Sequence, residues 1–246
     1  MPDYTVFPNA PITEALLDIR VKLPEERALA DFKVFQDHIK DRFPVRKERK
    51  FLMSALHLAP EPSARVSASG SDGYLFESPK EKKIVQARLD GFTFNKLKPY
   101  ENWESLRSEA RELWDKYFSI ANPTKVTRIA LRYINRIEVP LPIKDFGEYI
   151  LTNPEVAPDL PQALSGFFMR LVMPNHDIGA TAVVTQTMEA PTPDQKLPLI
   201  LDIDVFRETA YEANNPEMWD EFEKLRIFKN DIFFRSTSEK AKELFK

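Results

Sequence analysis

Residues 126–139 read VTRIALRYINRIEV, and the fold depends on whether this stretch is helix or strand. A helix is arguable, because Arg128, Arg132 and Arg136 recur every four residues. The composition points the other way. Thr, Ile, Val and Tyr are frequent, and Ile129, Leu131, Tyr133, Ile137 and Val139 fall on alternate positions. That is the period of a strand with one buried face. Pro140 and Pro142 stop it. As a strand, it sends the three arginines to the face opposite those apolar residues, with Ala130 and Ile134 between them.

The flanking sequence alternates between the same two periods. In residues 15–23, Leu17, Ile19, Val21 and Leu23 alternate with Asp18, Arg20 and Lys22, so a strand is expected. Pro24, Glu25 and Glu26 then suit the first turn of a helix, with Leu29, Phe32, Phe35, Ile39 and Phe43 as its stripe. Strands are expected over 51–58, 74–78 and 83–97, with a loop around Pro60 and Pro62 and a break at Asp90–Gly91. Asn102 caps a helix with the stripe Trp103, Leu106, Ala110, Leu113, Trp114 and Tyr117, and Asn122–Pro123 ends it. Beyond the decisive stretch come a short helix over 145–151 and strands over 167–173, 180–188 and 199–207. Asn215, Pro216 and Glu217 open a helix that buries Trp219, Phe222, Leu225 and Ile232. Ser236 to Glu239 forms a capping box for a last short helix.

The two halves, 1–122 and 123–246, match in order of elements: strand, helix, several strands, helix. Each closing helix begins with a Trp, Trp103 or Trp219. The expected fold is α+β: a duplicated unit with an antiparallel sheet backed by helices, saddle-like or partly closed. The junction at 122–124 is short, so the halves are expected to share one continuous domain.

Composition excludes several function classes. The 246 residues hold no Cys, which removes disulfides, Cys-ligated metals and thiol catalysis. Only six residues are Gly, and the one close pair, Gly70 and Gly73, precedes no helix, so phosphate-loop motifs are absent and SASGSDGY reads as a loop or hairpin turn. The formal charge of -3 disfavours broad nucleic-acid binding. His38, His57 and His176 lack ligand spacing, so no metal or other cofactor is expected. No leader or membrane segment is visible, and a cytoplasmic protein is expected.

Three stretches together carry a resemblance: RIALRYINRIEVP at 128–140, LDIDVF at 201–206, and LRxxKNxxFF at 225–234. They resemble a sporadically distributed family of uncharacterised bacterial and archaeal proteins, and NAPITEALLDIRV and EARELWDKYF fit it too. The resemblance implies no activity; the sporadic occurrence suggests a defence or mobile-element association. The repeated element order also resembles, as architecture only, the TATA-binding protein fold.

The strand-borne charge is the best candidate site. Arg128, Arg132 and Arg136 share one face, and Asp202 and Asp204 share a face of the 199–207 strand. Such residues can simply face water. The sharper reading is a concave polar surface in which guanidinium forks bind phosphate or carboxylate and the aspartates orient them. Arg226, Lys229 and Asn230 form a second candidate, either a solvated helix face or groups that reach the sheet edge and join the same site. A non-enzymatic binding or regulatory protein is expected, with a protein partner or an anionic small molecule, or self-association into a homo-oligomer. The alternatives are an enzyme or sensor for a phosphorylated small molecule or nucleotide, with Asp202 or Asp204 holding a metal, and a nucleic-acid-binding saddle.

Overall fold

The computed structural model describes residues 4–57 and 63–246, with side chains for all of these except 51–57 and 63–69. The decisive stretch is extended: it is the strand β6, Lys125–Pro140. The other strands are β1 (Ile12–Lys22), β2 (Val45–His57), β3 (Ser63–Ser78), β4 (Lys83–Arg88), β5 (Gly91–Leu97), β7 (Phe168–Asn175), β8 (Ala180–Met188) and β9 (Lys196–Glu212). All nine form one antiparallel sheet in the order β2-β3-β4-β5-β1-β6-β9-β8-β7. The first strands of the two halves, β1 and β6, pair at its centre. The sheet stays open, so the partly closed form is not adopted; among the described residues β2 and β7 are its edges.

Alternation fixes which face is covered. Leu17, Ile19, Leu131, Tyr133, Leu201 and Ile203 are fully buried under the helices. Helix α1 (Trp103–Ala121) packs over β5, and α2 (Met218–Ser236) over β6 and β9. The Asn102 side chain accepts from the Ser105 N–H, satisfying one free donor of the first turn of α1. Asn122 ends that helix in the left-handed region at φ 47°. Ser238 caps the final short helix α3 (Glu239–Glu243) through the Ala241 N–H.

Three local expectations are corrected. The stripe after Pro24 forms a 3-10 helix, Leu29–His38, and not an α-helix. Leu29, Phe32 and Phe35 recur every three residues, so a three-residue turn carries Phe32 and Phe35 inward. Residues 145–151 hold only one 3-10 turn, Phe146–Glu148. Gly70 and Gly73 lie inside β3 and not in a turn. A Cβ at Gly73 would sit 2.6 Å from the Ala87 carbonyl oxygen and 2.9 Å from Arg88 Cγ, so the glycine makes room for Arg88. Leu58, Pro60 and Pro62, placed in a strand end and a loop by the sequence, lie outside the described residues.

Among the described residues, the opposite face of the sheet carries no helix. Along edge strand β7, that face presents Phe168, Arg170, Val172 and Pro174. Phe168 is 71% exposed and Val172 54%. Among the described residues, no helix is long and apolar enough to cross a membrane.

Candidate functional site

Strand register assembles the uncovered face. Arg128 on β6 lies opposite Arg20 on β1, which lies opposite Gly91 on β5. Gly91 faces Arg88 on β4, Arg88 faces Gly73 on β3, and Gly73 faces Arg49 on β2. Four arginines thus share one rung, and two of the positions between them are glycine. At Gly91 (φ 156°) a Cβ would meet the Ile19 carbonyl oxygen at 2.3 Å and Arg88 Nη2 at 3.0 Å. The missing side chains let Arg88 lie flat across the sheet, where it is 3% exposed.

Asp18 is the hub. Its carboxylate accepts from Arg88 Nη2 at 2.8 Å, Thr93 Oγ1 at 2.7 Å, Arg20 Nε at 3.2 Å and Arg128 Nη1 at 3.3 Å. Burial alone would raise this carboxyl, but Arg88, Thr93 and Arg20 outweigh it and hold its pKa below the ordinary value. Arg128 also donates to Asp204 at 3.3 Å and lies 4.4 Å from the Phe206 ring centroid. Arg132 grips Asp202 with two bonds of 2.8 and 2.6 Å. Asp204 differs: burial raises its pKa, more than Arg128 and Arg132 lower it, and neighbouring Asp202 and Asp18 add to the rise. Together these strands shape an open basin of about 860 Å³, lined by five arginines (Arg20, Arg49, Arg88, Arg128, Arg132) and four carboxylates (Asp18, Asp90, Asp204, Glu208).

The sequence-based candidates divide between two places. Arg128, Arg132, Asp202 and Asp204 meet on the uncovered face. Arg136 shares that face but sits away from the basin, held by Glu138 and Glu189. Arg226, Lys229 and Asn230 do not join them. They belong to α2, which covers the other face, and they line a separate cavity of about 400 Å³. The two aspartates already serve arginines, which disfavours a metal held between them; among the described residues no group of three His, Asp or Glu side chains is arranged around a metal-sized space.

Sequence reasoning missed Arg20, Arg49, Arg88 and Asp18 as site members. Asp18 and Arg20 were visible as the polar positions of the first strand. Arg49 and Arg88 needed the register, which the sequence does not show. No protein-family model matches the chain, and no curated protein matches it significantly in sequence.

Proposed function

We propose that the protein is a binding or regulatory protein that receives an anionic group, a phosphate or carboxylate of its ligand or partner, in the basin of the charged sheet face. The observation that carries this is the rung of Arg128, Arg20, Arg88 and Arg49, set on strands and steadied by Asp18. A guanidinium has five N–H donors. Arg132 spends two nitrogens on Asp202, and Arg49 spends one on Asp72. Arg88 spends all three nitrogens on Asp90, Thr93 and Asp18 and serves to hold Asp18. The N–H groups left on Arg20, Arg49, Arg128 and Arg132 sit on side chains already held by carboxylates, which lowers the ordering cost of binding. The carboxylates between the arginines keep the basin near neutral. That favours recognition of a defined anionic group over the broad positive field a nucleic acid needs. The equal order of strands outward from β1 and from β6 also supports reading the two halves as copies of one unit.

Thermal shift and calorimetry with inorganic phosphate, tripolyphosphate and nucleotides, with and without magnesium, test the proposal. Stabilisation by one of these, weakened about tenfold or more in Arg132→Ala or Arg128→Gln, is expected. A flat response across the panel, or binding untouched by either variant, counts against it. A response that requires magnesium favours the alternative of a nucleotide-handling site.

A further inference from the structure

The cavity on the helix-covered face lies among four segments: residues 4–12, the connection from β5 to α1, strand β6 and helix α2. Its walls are mostly apolar and aromatic, with Phe7, Ile12, Trp103 and Phe233 prominent. At about 400 Å³ it has the size and mixed lining of a small-molecule site. The chain packs firmly around it. Tyr4 donates to Asp231 Oδ1 at 3.1 Å, and Phe7 stacks on Phe234 with centroids 5.9 Å apart. Trp103 Nε1 donates to Glu223 at 2.7 Å, and the same carboxylate holds Arg226 at 2.5 Å.

Lys229 is the exception in this well-satisfied wall. It is 8% exposed, and among the described residues its ammonium makes no hydrogen bond and no ion pair. It lies over the face of Tyr133, with Nζ 3.7 Å from the ring centroid. Tyr133 gives its own hydroxyl to a contact with Tyr100 at 3.1 Å. A buried cation without a counter-charge is costly, and such groups are ordinarily paired. Arg226, one turn away, is already neutralised by Glu223. One buried cation therefore stands unbalanced in a cavity whose walls are mostly apolar and whose other charged groups are Lys98, Glu101, Glu104 and the neutralised Arg226.

We propose that this cavity is a second ligand site, separate from the sheet basin, and that it takes a small organic acid: an apolar or aromatic body in the cavity and a single carboxylate paired with the Lys229 ammonium. One unmatched positive charge suits a monoanion, and apolar walls suit a hydrocarbon body. A phosphate dianion would bring a second negative charge beside Glu101 and Glu104, which also line the cavity. Burial and the nearby Arg226 lower the Lys229 pKa to about 7, the direction expected of an ammonium whose counter-charge is missing.

The test uses the full chain and calorimetry with octanoate, phenylacetate, their alcohols octanol and phenylethanol, and inorganic phosphate. Both acids are expected to bind at least about tenfold more tightly than their alcohols, with phosphate not competing. Lys229→Met is expected to bring acids down to the affinity of alcohols while alcohols still bind. Lys229→Gln, which keeps a polar head without charge, is expected to do the same and guards against repacking in the Met variant. Equal affinity for acids and alcohols, unchanged acid binding in both variants, or no binding by any probe would overturn the proposal. Arg132→Ala, on the other face of the sheet, is expected to bind octanoate as the wild type does. A failure of the sheet-face proposal would therefore leave this one standing, and the reverse.

Discussion

Replacing Lys229 with methionine should make the protein more stable, and by an amount that depends on pH. The side chain lies in the buried stripe of α2, and burial lowers its pKa from 10.5 to about 7. Between those two pH values the unfolded chain binds more protons than the folded one, so wild-type stability rises across that window. Below about pH 7 the folded state carries the whole penalty of the buried ammonium. One pKa unit is about 1.4 kcal/mol, so the penalty near neutrality is roughly 4 kcal/mol. Methionine has a similar length and removes the charge, while losing the contact with Tyr133. A net gain of about 2–4 kcal/mol is expected at neutral pH. In a chain of this size that raises the Tm by roughly 5–15 °C. Urea titrations of both proteins across the window measure the effect, and the tyrosines that also titrate at high pH cancel in the difference. The gap should shrink as the pH climbs toward 10.5, as the wild-type lysine turns neutral in both states. A variant less stable than wild type, or a difference that ignores pH, would show that the ammonium is solvated or paired and would refute the reasoning.

Asp18→Ala should destabilise the fold by about 3–5 kcal/mol in denaturant titration, because it strips the 3% exposed Arg88 of its buried partner. Gly91→Ala should cost about 2–3 kcal/mol by the same measurement, since its Cβ would press on the Ile19 carbonyl oxygen at 2.3 Å. Asn102→Ala should cost about 1 kcal/mol through loss of the side-chain cap on the Ser105 N–H, read as a lower midpoint with an unchanged denaturant slope.

Much of the fold was legible in residue spacing. Alternation of Ile129, Leu131 and Tyr133 outweighed the four-residue spacing of the arginines, because apolar residues decide which face is buried while charged ones follow. Asn102 announced its helix through side-chain chemistry that acts within three residues. The capping box expected from Ser236 to Glu239 lay in the right place, but Ser236 ends α2 and Ser238 is the residue that caps α3. Helix type was harder. The stripe after Pro24 is consistent with either a three- or a four-residue turn, and packing of Phe32 and Phe35 decided it. The site was legible only in part. Arg132 and Asp202 could be placed on matching faces, but which strands are neighbours is a property of the whole sheet, and without that order Arg49, Arg88 and Arg128 have no reason to be associated. Lys229 was readable in principle. It follows Phe222 and Leu225 and precedes Ile232 at the spacing of the buried stripe, so a solvated face was never the geometrically simplest place for it.

The outermost strand β7 shows Phe168 and Val172 to solvent beside backbone groups that no tenth strand covers among the described residues. Between those two side chains, on the same face, stands Arg170, and Pro174 removes an amide from the rim. A lone guanidinium and a missing N–H are thus what separate this border from a template on which further copies could stack. Trading Arg170 for valine would join the apolar positions into one ribbon and leave Pro174 alone to guard the rim, so the protein's tendency to polymerise should rise with its concentration.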